Sequence, residues 1–349
     1  MIDPVLIETA ERVFSDVCTF SAVQDAETSG WAPEIWNAIS GLGLTRISIP
    51  EERSGVGGTL EEAIAVLRIA GRYVAPIPLA ESGILGGWLL GEAGLDLDDA
   101  PLSIVPGQPS DTLSLNGGLV SGTATRVPWA RGVSRVAALL DNKVVLLDPA
   151  LGTIELDTNL AGEPRDTLHF AAAQPLVVAP APSGATTRAL RIRGALSRAA
   201  LIAGALEAMV DLTVTYTADR RQFGKTVGSF QSVQNLLVRC GEDAALVGLA
   251  VETAARELSR GHGDFEVAAA KSLASDAART ASRAAHQAHG AMGMTQEYPL
   301  HHLTRRLWSW RAEFGDASWK RELGSALVSF GPDQLYRTIS EGSASGITL

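Results

Sequence analysis

Asp219-Arg-Arg-Gln-Phe-Gly-Lys-Thr-Val-Gly-Ser-Phe-Gln-Ser-Val-Gln234 lies between two stretches of helical character. Upstream, Ala199 to Tyr216 is rich in Ala and Leu and holds no proline, a strong helix composition. Downstream, Phe230, Val233, Leu237, Cys240, Ala244 and Val247 recur at spacings of three and four, the apolar face of a long amphipathic helix. The connecting stretch carries two guanidinium groups (Arg220, Arg221), an aromatic ring (Phe223), two glycines and an amide (Gln231) in the first turn of the next helix. Free N–H groups at a helix start and forked arginine donors suit phosphate oxygens. A solvated basic loop joining two helices would read the same way, so the stretch alone leaves both readings open.

A second segment, Gln287-Ala-His-Gly-Ala-Met-Gly293, precedes Glu297-Tyr-Pro-Leu300 and Arg305. The two segments together resemble the acyl-CoA dehydrogenase family, whose hallmarks are Arg-x-x-Phe-Gly…Phe-Gln and Gln-x-x-Gly-Gly-x-Gly in this order and at this distance. The likeness continues weakly along most of the chain. It implies an α+β fold: an N-terminal helical domain (1–98), a middle antiparallel β-domain (99–185) and a C-terminal four-helix bundle (186–349).

The texture of the sequence agrees. Val5, Ile7, Ala10, Val13 and Phe14 give a first amphipathic helix, and Pro33–Ile39 a short second one. Thr59 with Glu62 forms a capping box ahead of Ala63, Val66, Leu67 and Ala70. Pro76 and Pro78 interrupt the pattern before a further apolar helix near Ile84–Leu90. The glycines at 41, 43, 55, 57 and 58 read as turn chemistry. Between residues 102 and 180 short β-branched runs are punctuated by Asn116-Gly117-Gly118 and Asp141-Asn142, the residues of two-residue hairpin turns. From Arg188 four long helical segments follow, the third with a stripe of Val267, Ala270, Ala274 and Ala277 and with Asp264 as its N-cap. Trp308, Trp310 and Trp319 are expected to pack helix on helix.

Composition excludes several classes. A formal net charge of −10 argues against a nucleic-acid-binding surface. Two cysteines, Cys18 and Cys240, make no disulfide framework and suit a reducing, cytoplasmic setting. No uninterrupted apolar run is long enough to span a membrane, and Asp3, Glu8 and Glu11 stand where a signal peptide would carry bases. His301 and His302 are adjacent and expected to point to different faces, so a metal site is not expected.

The resemblance implies FAD, held across an interface between subunits. On it, Arg220 meets the pyrophosphate, Gln222 and Gln231 supply amides, and Phe223 supplies an apolar wall. Gly290 and Gly293 let backbone approach the cofactor, with Gln287 donating beside them and Ala291 in place of the second family glycine. The implied reaction is α,β-desaturation of an acyl-CoA, with an electron-transferring flavoprotein as acceptor. Ring-side contacts in the family come from a Thr/Ser-Glu-Pro…Gly-Ser-Asp loop and a Trp-x-Thr turn. Here Ile104–Asp111 keeps only Pro106, Gly107 and Ser110-Asp111, and Thr125-Arg-Val-Pro-Trp129 lacks the Trp-x-Thr order.

The family's catalytic glutamate occupies one of two places. At the first, Phe314 stands where it is expected, within Glu313-Phe-Gly-Asp316. At the second, counting back from Arg220 reaches Gly194, or Ser197 with a local gap, and no acid occurs between Thr167 and Leu206. Glu313 is one residue off, about 100° around a helix, and Asp316 two residues off. Both are set against the simpler reading of solvated helix-end acids. Two main readings follow. The chain is a subunit completing a homologous partner's FAD site in a heterotetramer, as in shortened actinobacterial subunits acting on steroid side chains. Otherwise it is a self-sufficient dehydrogenase with Glu313 as displaced base. A flavin monooxygenase or oxidase on the same fold is the third reading.

Overall fold

The structure, a computed structural model, describes residues 2–329 and Tyr336. The end of the expected 186–349 segment therefore lies partly outside the described residues. By packing, the chain forms two compact units, residues 1–67 with 75–194 and residues 68–74 with 195–349.

The first unit opens with α1 (Pro4–Val17), α2 (Phe20–Ser29) and α3 (Pro33–Ser40). Asp3 caps α1, accepting from the Val5 N–H at 2.9 Å. Helix α2, capped by Thr19, was not expected, so Pro33–Ser40 is the third helix and not the second. The Thr59–Glu62 box forms reciprocally ahead of α4 (Leu60–Arg72): Thr59 N donates to Glu62 Oε2 (2.8 Å) and Glu62 N to Thr59 Oγ1 (3.1 Å). The apolar segment after Pro78 is a π-helix, Ala80–Gly87, buried at every residue and running into α5 (Trp88–Glu92).

Eight strands follow: β1 (Leu102–Ile104), β2 (Ser114–Asn116), β3 (Leu119–Pro128), β4 (Arg135–Leu140), β5 (Lys143–Leu147), β6 (Thr153–Glu155), β7 (Arg165–Ala173) and β8 (Val177–Pro180). They form two four-stranded sheets, ordered β1-β4-β5-β8 and β2-β3-β7-β6. Both sheets contribute to one core, with Val136, Val145 and Leu147 from the first and Val120, Ala124, Leu168 and Phe170 from the second. The two expected hairpin turns close at Gly117-Gly118 and Asp141-Asn142, all four residues at positive φ as a type I′ turn requires. The pairing is antiparallel except for β1 against β4, which run parallel.

Helix α6 (Thr187–Asp219) leads out of this unit into the second, which also holds β9 (Arg221–Gln222), β10 (Lys225–Thr226), α7 (Gln231–Ser259), α8 (Asp264–His289), α9 (Leu300–Ala312) and α10 (Ala317–Val328). The last of the four expected helical segments is divided at 313–316 into α9 and α10. The small-residue stripe makes α8 the centre of the bundle: α7, α9 and α10 all pack on it, and Val267, Ala270, Ala274 and Ala277 are buried. Gly263, at φ 118°, holds the N-cap position of α8, and Asp264 is the first helical residue rather than the cap. Glycine also sets the approach of the α4 end to α6. A Cβ on Gly71 would lie 2.7 Å from Leu201 Cα, and one on Gly204 2.6 Å from the Arg72 nitrogen. Ion pairs flank this contact, Arg68 with Glu207 and Glu252 and Arg72 with Asp211.

Among the described residues one helix, α6, is long and apolar enough to cross a membrane, which scanning for uninterrupted apolar runs did not bring out. Over half of its most apolar window is buried in the protein, as in a core helix.

Candidate functional site

The Asp219–Gln234 stretch forms a two-residue β-hairpin between α6 and α7. Gln222 pairs with Lys225 and Arg221 with Thr226, leaving Phe223 and Gly224 as the turn at φ 54° and 81°. Gly224 takes that backbone without strain, but a phenylalanine in the left-handed region is disfavoured by about 1–2 kcal/mol. Phe223 is also 90 % exposed, its ring edge-on to Phe230 at 6.2 Å. The hairpin is rooted on α6 by Arg220 N donating to Tyr216 O (2.9 Å) and closed by Val227 N donating to Arg220 O (2.8 Å). Arg220, Gln222 and Gln231 are all exposed. Gln231 begins α7 behind Phe230, which offers no side-chain cap.

At the end of α8, Gly290 (φ 60°, ψ −139°) takes a backbone that side chains disfavour and turns the chain into a short 3-10 segment, Gly290–Met294. Gly293 is buried, and a Cβ there would lie 2.9 Å from His289 Cβ and 3.2 Å from Leu300 Cδ2. Only glycine lets this turn lie flat on His289. Gln287, Gly290 and Ala291 face solvent.

Behind the turn lies a group that sequence reasoning missed. His289 is buried and stacked on Tyr216, with centroids 4.5 Å apart and planes at 25°. Tyr216 Oη donates to His289 O (3.1 Å), and Tyr298 Oη lies 3.3 Å from His289 Nε2. His289 Nδ1 is 2.8 Å from Ala285 O, which makes Nδ1 the protonated nitrogen and Nε2 an acceptor for the tyrosine hydroxyl. Burial lowers the His289 pKa and raises that of Tyr298, keeping both neutral. Tyr216 lies one helical turn before Arg220, a spacing that could have flagged it.

The turn between α9 and α10 has the opposite character. Glu313 is not on a helical face; it caps α9 with extended backbone (φ −82°, ψ 146°), so the rotation expected for a helical residue does not apply. Nor is it a solvated acid. Its Oε2 accepts from Arg198 Nε at 2.6 Å, with side chains 9 % and 2 % exposed. The Arg198 guanidinium also lies 5.3 Å from the centre of the Phe314 ring. Asp316 accepts from Arg311 (3.0 Å) and is held by that pair while its side chain stays partly exposed. Lys271, fully buried on α8, donates to Arg311 O (2.6 Å), Trp310 O and Ser275 Oγ (both 3.3 Å), closing the C-terminus of α9 from a neighbouring helix. Burial pulls its pKa down to about 7 against the pull of Asp316 and Glu313.

Phe314 (φ 52°) and Gly315 (φ 94°) form the tip, where Trp319 Nε1 donates to Phe314 O at 2.8 Å. Trp310 and Trp319 are buried as expected, whereas Trp308 is 41 % exposed with Arg311 over its ring. The His301 and His302 rings do not diverge; their centroids are 4.0 Å apart. Among the described residues no three His, Cys, Asp or Glu side chains converge as a metal site would require.

Residues 191–323 match the family described as acyl-CoA dehydrogenase, C-terminal domain. FadE34, an acyl-CoA dehydrogenase of Mycobacterium tuberculosis, is 27 % identical over 85 % of this chain, which spans 43 % of that protein's length. The C-terminal part of this chain is thus similar to the acyl-CoA dehydrogenase family. Two solved structures share the fold nearly end to end. One is the ChsE4-ChsE5 complex of Mycobacterium tuberculosis (TM-score 0.84, 22 % identity, 93 % of this chain and 97 % of that one). The other is the Tcur3481-Tcur3483 steroid ACAD G363A variant (TM-score 0.82, 22 % identity, 97 % and 98 %).

Against the family pattern, the segments that would face the flavin ring are turned to internal use. Asp111 accepts from Thr125 N (2.7 Å), Thr125 Oγ1 (2.8 Å) and Gln108 N (2.7 Å), which ties the 104–111 loop to β3. Trp129 is buried in the β-core with Arg165 over its ring. Of the two places for the family's glutamate, Ser197 on α6 is buried beside Arg198, and Arg198 joins α6 to Glu313. The hairpin and the glycine turn keep their polar groups outward.

Proposed function

We propose that the chain is a subunit of an FAD-dependent acyl-CoA dehydrogenase that desaturates an acyl-CoA thioester between its α- and β-carbons. In this reading it completes the nucleotide half of the cofactor site, and a homologous partner chain supplies the glutamate that takes the α-proton. The Arg198–Glu313 ion pair carries the argument. A general base must accept a proton, and protonating Glu313 would cancel the charge of a carboxylate paired at 2.6 Å with a buried guanidinium.

The residues of the hairpin and the glycine turn fit the nucleotide half of FAD. Arg220 offers a forked cationic donor for pyrophosphate oxygens, and Gln222, Gln231 and Gln287 offer neutral donors and acceptors. Phe223 presents a largely uncovered ring to an apolar or stacking surface, and Gly290 and Gly293 leave the backbone bare at two points of the turn. FAD, when bound, supplies the acceptor for the hydride leaving the acyl β-carbon. This chain's own residues hold and orient the nucleotide and exclude water from it. Support for unlike chains comes from the two-chain names of the structures sharing the fold, and for a steroid-derived acyl group from the description of the second. An electron-transferring flavoprotein is the proposed acceptor.

The test is to purify the chain alone and together with the product of an adjacent homologous gene, then record flavin absorbance and acyl-CoA-dependent dye reduction. Colourless alone and yellow and active together is the expected result. A yellow, active preparation of this chain by itself would restore Glu313 as base. Substrate-dependent oxygen consumption without an external acceptor would favour the oxidase or monooxygenase reading.

A further inference from the structure

Tyr216 serves both exposed segments at once. Its carbonyl accepts from Arg220 N, the bond on which the hairpin is hung. Its hydroxyl donates to His289 O, the carbonyl immediately before the glycine turn, and its ring stacks on the His289 imidazole. His289 in turn carries the turn, since the absent Gly293 side chain lets the backbone rest against His289 Cβ. Tyr298 closes the group, edge-on to Tyr216 at 5.6 Å and hydroxyl toward His289 Nε2, and thereby adds the segment that leads into α9.

Each polar atom in this group has one compatible partner. His289 Nδ1 donates to Ala285 O, Nε2 receives the Tyr298 hydroxyl, and the Tyr216 hydroxyl is spent on a backbone carbonyl. None of the three is left to act on a substrate. Their arrangement also exceeds what helix packing alone requires, because three hydrogen bonds and three ring contacts converge on Tyr216 and His289, the two residues adjoining the exposed segments.

We propose that Tyr216 and His289, with Tyr298 behind them, are positioning residues that fix the spacing of the hairpin and the glycine turn, so that both offer one cradle to the nucleotide half of FAD. This rests on the reading that these segments bind the nucleotide. The hairpin alone is a two-residue ribbon with a strained tip, and such ribbons are marginal in water. The glycine turn alone is a single short 3-10 segment. Coupling through Tyr216 makes the position of each depend on the other, and a ligand touching both gains from that coupling without ordering them separately.

The experiment uses the full chain in its purified assembly, with FAD as probe followed by flavin fluorescence. Tyr216→Phe removes one hydroxyl and keeps the ring; Tyr216→Ala and His289→Ala remove the stack. Loss of one hydrogen bond is expected to raise the FAD Kd about fivefold in Tyr216→Phe, and loss of the stack by more than about tenfold. Amide hydrogen exchange is read in parallel on the protein without added FAD. In Tyr216→Ala, exchange should quicken at 220–226 and at 290–294 together, while α7 and α8 stay protected. Arg220→Ala is the control for the underlying reading.

Weakened binding in Arg220→Ala with unchanged Kd and exchange in the Tyr216 and His289 variants would overturn the positioning role and leave the binding reading standing. Unchanged FAD binding in Arg220→Ala, or no uptake by the wild-type assembly, would overturn both. If the tyrosine variants lose thermal stability, and FAD binding falls only with the unfolded fraction, the group is structural and the proposal fails. Tyr216→Phe, which keeps the stacking ring, separates that outcome from a specific loss of spacing.

Discussion

Two turns of the second compact unit, separated by about one helix, have been put to opposite uses. The hairpin that Tyr216 ties to the 290–294 turn points polar side chains outward and leaves the Phe223 ring, edge-on to Phe230, largely uncovered, and the turn itself exposes Met292 and Met294. At 313–316 both carboxylates are paired, Glu313 with Arg198 and Asp316 with Arg311, and the neighbouring Lys271 donates to two carbonyls at the end of α9 and to Ser275 Oγ on its own helix. A segment that must meet a ligand retains unsatisfied capacity, whereas one that only holds helices together uses it up. On the proposed function, the contrast puts this chain's contribution at the nucleotide end and leaves the base-side turn as a structural clamp.

The comparison is broken most directly at Glu313. Glu313→Ala should destabilise the chain by about 3–5 kcal/mol, because it removes one partner of a buried ion pair with Arg198. Urea unfolding measures this, and the double change Arg198→Met with Glu313→Leu should recover most of it. Were Glu313 a catalytic base instead, Glu313→Gln would abolish turnover of the assembled enzyme while leaving stability intact.

Next in size is Arg220→Ala, which should weaken FAD retention by about 1.5–3 kcal/mol, the range for a hydrogen bond to a charged group. Unfolding of the chain should be unchanged, since the residue is exposed. A third effect is a slope and not a step. With the folded Lys271 pKa near 7, below its ordinary 10.5, the unfolded chain binds more protons between these values. Stability should therefore rise with pH from about 7 to about 10, by at most about 1.4 kcal/mol per pH unit. Lys271→Met should remove that rise, and the difference between the two unfolding profiles isolates it from other groups. Smallest is Phe223→Gly, which relieves the left-handed backbone and should stabilise the chain by about 1 kcal/mol while loosening FAD binding. A Phe223→Gly chain that binds FAD as tightly as before would remove the ring from the cradle.

Local chemistry was legible in the sequence. The capping box at Thr59–Glu62, the type I′ turns at 117–118 and 141–142, and the periodic faces of α7 and α8 each rest on neighbours within a few residues. The family motifs likewise led to the hairpin and the glycine turn. What escaped was non-local or irregular. Arg198 and Glu313 are 115 positions apart, and nothing in either neighbourhood announces the pair. Helix α2 is short and weakly amphipathic, a π-helix leaves no period distinct from a buried α-helix, and the parallel β1–β4 pairing depends on which strand comes to lie beside which. Tyr216 and His289 each look like an ordinary helical residue until the two helix ends are placed side by side.

The crossing of the α4 end and α6 has its own corollary for protein engineering. Replacing a helical glycine by alanine commonly strengthens a helix by up to about 1 kcal/mol, so Gly71, in the last turn of α4, and Gly204, within α6, would stand on any routine list of stabilising substitutions. Here a single methyl group at either site would meet main-chain atoms that have nowhere to go. The standard recipe would push two helices apart, and a library built on it would lose its most promising members at these two positions.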